Sequence, residues 1–176
     1  MKTISIRWEM AHGWSGSTDP VDEGVGLVLY FAAPTALTLA APWQELARRF
    51  PNARVVGCTT GGEISGDEAL DDSVVAVGIR FEGARVTVAQ RQVGEDSEAA
   101  GHWLAEALDH DGLKGVLVLS DGTLVNGSAL VCGLRGNLPE SVVITGGLAG
   151  DGAAFQSTRV GVDGEPTIGT IAAIGF

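Results

Sequence analysis

The segment Gly57-Cys58-Thr59-Thr60-Gly61-Gly62-Glu63 gathers a thiol, two hydroxyls and a carboxylate among glycines, whose missing side chains let backbone amides face a ligand. Cys58, Thr59, Thr60, Gly61 and Glu63 are therefore candidate binding residues for a polar or anionic group. A thiol such as Cys58 acts as a nucleophile only beside a base. None of the three histidines, His12, His102 and His110, is placed to serve it. Gly57-Cys58-Thr59-Thr60-Gly61 also has the spacing of a nucleophile elbow centred on Thr59, but an elbow leads into a helix, and Gly61, Gly62 and Gly66 oppose one. No catalytic set is expected.

A second glycine-rich stretch, Gly146-Gly147-Leu148-Ala149-Gly150-Asp151-Gly152, is expected as a loop that exposes backbone at Gly146 and Gly147. Asp151 adds a carboxylate and Phe155 an aromatic wall. The glycine order is not a dinucleotide fingerprint, because a hairpin rather than a helix is expected to follow. Asp121, in Ser120-Asp121-Gly122, and Asn126, in Asn126-Gly127-Ser128, read either as helix caps or as further side chains of the same crevice. No two histidines or cysteines share a metal-site spacing. His102 is expected in solvent on a helix face and His110 just past that helix, which leaves His12 as the one candidate ligand to a haem or metal.

Elements must position these residues. Val25 to Phe31, Arg54 to Cys58, Lys114 to Ser120, Val142 to Thr145 and Thr170 to Phe176 read as strands, several of them continuous apolar runs buried on both faces. Ile4 to Trp8 alternates like a half-buried strand, and Ala11 to Glu23 reads as a loop. Helices are expected over Thr35 to Phe50, from Ser97 to about Leu108, and from about Asn126 to Gly136. Ser73 to Phe81 and Arg85 to Val93 read as a hairpin turning at Glu82-Gly83-Ala84, and Phe155 to Ile168 as a second, short one.

These elements recur. Leu27-Val28-Leu29 matches Leu117-Val118-Leu119, Val55-Val56-Gly57 matches Ile144-Thr145-Gly146, and Val74 to Gly78 matches Ile171 to Gly175. The offset of about 90 residues is too long for a solenoid and suits two halves of one fold. The expectation is an α/β domain with mixed β-sheet layers and flanking helices, built from two strand, helix, strand, loop, strand halves. Each glycine-rich stretch then lies beyond the end of a strand, where open α/β sheets place ligands.

Composition narrows the partners. The 176 residues carry 22 Asp and Glu against 11 Lys and Arg, a net charge of −11 that repels nucleic acid and anionic membrane surfaces. No run approaches the roughly 20 apolar residues of a membrane span, and the first residues lack a signal-peptide pattern, so a cytoplasmic location is expected. Two cysteines are too few for a disulfide scaffold.

Three separated motifs carry a family resemblance. Val55-Val56-Gly57-Cys58-Thr59-Thr60-Gly61-Gly62-Glu63-Ile64, Leu119-Ser120-Asp121-Gly122 with Asn126-Gly127, and Gly146-Gly147-Leu148-Ala149-Gly150-Asp151 with Phe155 and Thr158 together resemble the FIST N-terminal domain. The resemblance implies an intracellular bacterial sensory domain for signal transduction that binds small ligands such as amino acids, with haem-based sensing of nitric oxide in some relatives. It further implies a single domain over residues 1–176, without the second, C-terminal FIST domain that relatives commonly carry. A signalling output protein, or such a second domain on another chain, would be its partner. A Cys58-dependent enzyme and a ligand-free assembly module are the competing expectations.

Overall fold

A computed structural model describes residues 1–16, 24–108 and 111–176. His110 and part of the first loop, residues 17–23, lie outside the described residues. In chain order the elements are β1 (Lys2–Glu9), β2 (Gly13–Trp14), β3 (Leu27–Ala32), α1 (Pro34–Ala40), α2 (Pro42–Arg49), β4 (Arg54–Thr59), β5 (Glu63–Ser65), β6 (Glu68–Leu70), β7 (Ser73–Arg80), β8 (Thr87–Gln92), α3 (Ser97–Leu108), β9 (Gly115–Ser120), α4 (Gly127–Asn137), β10 (Val143–Leu148), β11 (Val160–Val162) and β12 (Thr170–Gly175). The helix expected over Thr35 to Phe50 is divided at Ala41, whose φ of 41° breaks the first helix before Pro42 starts the second. Among the described residues no helix is long and apolar enough to cross a membrane.

Two mixed sheets, ordered β11-β4-β3-β7-β1-β2 and β10-β9-β12-β8, form the middle of the molecule. Their strands are apolar on both faces because both faces are covered. Leu27, Leu29, Phe31, Val56 and Cys58 of the first sheet meet Leu117, Leu119, Ala172 and Ile174 of the second in the core between the sheets. The alternate residues Val28, Tyr30 and Ala32 face α1 and α2, and Val116, Val118, Ile171 and Ala173 face α3 and α4. The layers therefore run helix, sheet, sheet, helix.

The duplication is visible in strand order: β4-β3-β7-β1 in one sheet repeats as β10-β9-β12-β8 in the other. Register refines it. Val28 lies opposite Val55 and Gly78, while Val116 lies opposite Ile144 and Gly175. Leu29 is thus equivalent to Leu117, and the match of Leu27 with Leu117 made on sequence is two residues out of step. A slip of two keeps each side chain on its face, so the pattern hid it.

The hairpin expected from Ser73 to Val93 does not form. β7 pairs with β3 and β1 in the first sheet, and β8 pairs with β12 in the second, so Glu82-Gly83-Ala84 carries the chain from sheet to sheet. Each half consequently begins with a strand, β1 or β8, that borders the last strand of its own repeat. The glycine stretch expected as a loop at Gly146-Gly147-Leu148 belongs to β10, with Gly146 at a φ of 143°. Around Val160 a bridge to Thr167 makes the short turn expected there.

Tyr30 is a buried flaw in this packing. Its ring lies over Gly57, where an added Cβ would come within 2.4 Å of ring carbons, and its hydroxyl has no hydrogen-bond partner among the described residues. A buried orphan hydroxyl costs stability that a methine of the same outline does not. Tyr30→Phe is expected to raise stability by about 1 kcal/mol, read as a melting temperature about 2–4 °C higher.

Candidate functional site

The parallel strands β3 and β4 end side by side at Ala32 and Thr59, and the chain leaves each at the same rim. Thr60 donates its backbone N–H to Ala32 O at 3.0 Å, holding the Thr60-Gly61-Gly62 loop against the start of α1. The second glycine stretch meets this loop directly. Gly150 N–H donates to Thr59 O at 3.0 Å, and a Cβ on Gly61 would lie 3.2 Å from Gly152 Cα. A side chain at Gly61 would fit only if the facing backbone gave way by a few tenths of an ångström.

Beside this junction lies a crevice of about 610 Å³, lined by Pro34, Thr35, Thr60, Gly61, Asp71, Asp72, Asp151, Gln156 and Ser157 among others. The volume falls within the range of small-ligand sites. Among the described residues three carboxylates enter it and no cation does. Asp72 accepts the Thr35 hydroxyl, and Asp71 has no hydrogen-bond partner among the described residues. Asp151 accepts the N–H groups of Phe155, Gln156 and Ser157 at 2.9, 2.7 and 2.9 Å. The Gln156 and Ser157 bonds lead in holding its carboxyl below the ordinary range, with Phe155 adding to them.

Glu63 is buried at the back of the loop, where its two oxygens accept the hydroxyls of Thr60 and Ser73. On the other flank a small groove of about 90 Å³ runs past Pro34, Leu37, Thr38, Thr59 and Ser157 to Arg159. Arg159 is anchored by its backbone, its N–H on Thr59 Oγ1 and its carbonyl accepting Thr59 N–H, while its guanidinium has no ion pair among the described residues. Pro34 and Ser157 line both spaces, so acidic and basic ends adjoin. Sequence reasoning missed Asp71, Asp72 and Arg159. A lone arginine beside a buried threonine in so acidic a chain was the available signal.

The sequence-derived residues separate into three groups. Thr60, Gly61 and Asp151 line the crevice, with Thr59 in the adjoining groove and Glu63 just behind. Cys58 points into the core between the sheets, where burial pushes its thiol up to about 12 and disfavours the thiolate. Asp121 is fully buried, and its oxygens accept from Thr123 N, Thr123 Oγ1, Leu124 N and Gly169 N. Asn126 caps α4 by accepting Ala129 N–H at 3.1 Å. Gly146 and Gly147 line a different groove, between α4 and the second sheet. Phe155 is 85% exposed with a φ of 50°, outside the crevice lining.

The described histidines, His12 and His102, stay apart from this region. His102 approaches Asn137 and Glu98 on the helical layer, and His12 sits in the exposed turn joining β1 to β2. His12 lines neither the crevice nor the α4 groove, and a crevice of small and acidic side chains does not suit an apolar macrocycle such as haem. Among the described residues no cluster of three or more His, Cys, Asp or Glu side chains could hold a metal ion.

The duplicated two-sheet α/β architecture carries its polar crevice at the strand ends and keeps the Cys58 thiol in the core between the sheets. The chain belongs to the FIST family: the FIST N domain model matches residues 26–176. The family is one of sensory domains in signal transduction. β1 lies before the matched span yet pairs along its length with β7, so it is part of the same sheet. No curated protein matches the chain.

Proposed function

We propose that this domain is the ligand-binding part of an intracellular sensor and that its ligand is a small zwitterion, an amino acid being the simplest. The observation that carries the reading is the crevice at the glycine junction, with unspent carboxylate at one end and an unpaired arginine next to the other. An ammonium group fits Asp71 and Asp72, and a carboxylate fits the Arg159 guanidinium with the Thr38 hydroxyl nearby. The N–H groups bound to Asp151 keep the rim of the crevice in one shape before any ligand arrives, which lowers the ordering cost of binding.

The test is a thermal-shift screen of the protein against the common amino acids, followed by calorimetry on Asp71→Asn and Arg159→Gln. A true ligand at a hundredfold excess over its dissociation constant adds about 2.7 kcal/mol, or roughly 5–10 °C. Each variant is expected to weaken binding at least about tenfold without unfolding the domain, since neither side chain has a hydrogen-bond or ion-pair partner to lose among the described residues. Absence of any stabilising amino acid, or equal binding by both variants, would overturn the reading.

A further inference from the structure

The two halves of the duplication differ at one place in a way that creates a second cavity. In the first half Tyr30 lies in register with Gly57, and its ring fills the space over that glycine. In the second half the equivalent pair is Val118 and Gly146, so a valine stands where the tyrosine ring would be. The space is not refilled by the helix. A groove of about 330 Å³ remains between α4 and the outer face of β9 and β10, with Leu130, Val131 and Leu134 on the helical wall and Val118, Ile144 and Leu148 on the strand wall.

Charge and access add to this shape. The chain has twice as many Asp and Glu (22) as Lys and Arg (11), yet among the described residues no carboxylate lines the groove. Among the described residues its one ionisable lining group is Arg135, whose Nη1 donates to Val142 O at 2.7 Å and so fixes the guanidinium next to the start of β10. β10 is an edge strand, whereas its counterpart β4 is covered by β11, so the groove has an open side. Val131 and Leu148 at its rim are exposed large apolar side chains.

We infer that the α4 groove is a second ligand site, distinct from the acidic crevice, and that it takes a single-ring aromatic molecule carrying a carboxylate or phenolic acceptor. The first half supplies the shape, since Tyr30 packs a phenol ring on the outer face at the register position that Val118 occupies in the second half. The second supplies the polarity: an apolar slot without acids, in reach of one arginine, favours a neutral or anionic ring over a cation.

The experiment is saturation-transfer NMR and calorimetry on the full chain with 4-hydroxybenzoate and phenol as probes. Binding of 4-hydroxybenzoate with a dissociation constant at or below about 1 mM is expected, a modest value for a ligand of that size. Val118→Tyr puts the ring of the first half into the second and is expected to abolish binding of both probes. Where that larger core side chain prevents folding, Val131→Glu decides, because it alters only the exposed rim and is expected to weaken 4-hydroxybenzoate at least about tenfold by like-charge repulsion. No binding of either probe by the wild type, or unchanged binding in the folded variants, overturns the inference. Asp71→Asn, which tests the crevice, is expected to leave ring binding unchanged, so the two readings fail separately.

Discussion

Gly133→Val is expected to remove at least about 3 kcal/mol of stability, lowering the melting temperature by roughly 6–12 °C. α3 and α4 cross backbone against backbone. A Cβ on Gly133 would lie 2.0 Å from Glu98 O and 3.0 Å from His102 N, and one on Gly101 would lie 2.3 Å from Leu130 O. No flexible side chain is available to move away, so the helices must part, and Leu104 and Leu134 in the layer beneath lose contact with each other's surroundings. Helix propensity runs the other way, because Gly costs about 1 kcal/mol relative to Ala inside a helix. The clash outweighs that gain. Urea unfolding of the variant measures the difference, and a midpoint within error of the wild type would show that the helices separate without cost.

Asp121→Ala is expected to cost about 3–5 kcal/mol, since it strands the N–H groups of Gly169, Thr123 and Leu124 in a region the carboxylate now satisfies. Those bonds tie the end of β9 to the turn before β12, two strands that are neighbours in the second sheet. Burial pushes the Asp121 carboxyl up, but the Gly169 and Leu124 N–H groups and both donors of Thr123 more than offset it, and the net direction is downward. A carboxyl whose folded value is depressed adds stability that is complete above its unfolded value of about 3.9 and is lost as pH falls through the folded value. The gap between wild type and variant is therefore expected to be full at neutral pH and to narrow below about pH 4. Chemical denaturation across that interval checks it; a gap independent of pH would show that charge on Asp121 contributes nothing.

The fold was largely legible because strands buried on both faces leave long apolar runs, and Val25 to Phe31, Lys114 to Ser120 and Thr170 to Phe176 are such runs. Their repetition revealed two halves. What stayed hidden was pairing. Ser73 to Phe81 and Arg85 to Val93 have hairpin length and a turn between them, but Val88 of β8, with Val86 just before that strand, reaches the core between the sheets from the side of the second sheet, which local pattern cannot specify. Gly146 and Gly147 read as loop because glycine weakens strands, yet Gly146 pairs with Val118 where the neighbouring backbone leaves no room for a side chain.

The candidate site was legible in part for a related reason. Glycine density marked the junction of Gly61 with Gly150 and Gly152, where a Cβ on Gly61 would crowd the facing backbone and Gly152 takes a φ of 70°. Hydroxyl and carboxylate types alone could not separate Thr60, which lines the crevice, from Asp121, whose four acceptor bonds are internal. Arg159 was passed over because its place beside Thr59 depends on the pairing of β4 with β11, strands about a hundred residues apart in sequence.

β11 belongs by sequence to the second half but completes the first sheet, pairing Val160 with Cys58 and Val162 with Val56. During synthesis the first half emerges with the edge of β4 bare, and about a hundred further residues must follow before its covering strand exists. Until then that edge is a template for any other nascent chain, a hazard that favours rapid completion or chaperone shelter. The same loan makes the halves inseparable: a chain cut between β7 and β8 yields two fragments, each missing a surface that the other provides, which are expected to regain the native sheet only when mixed.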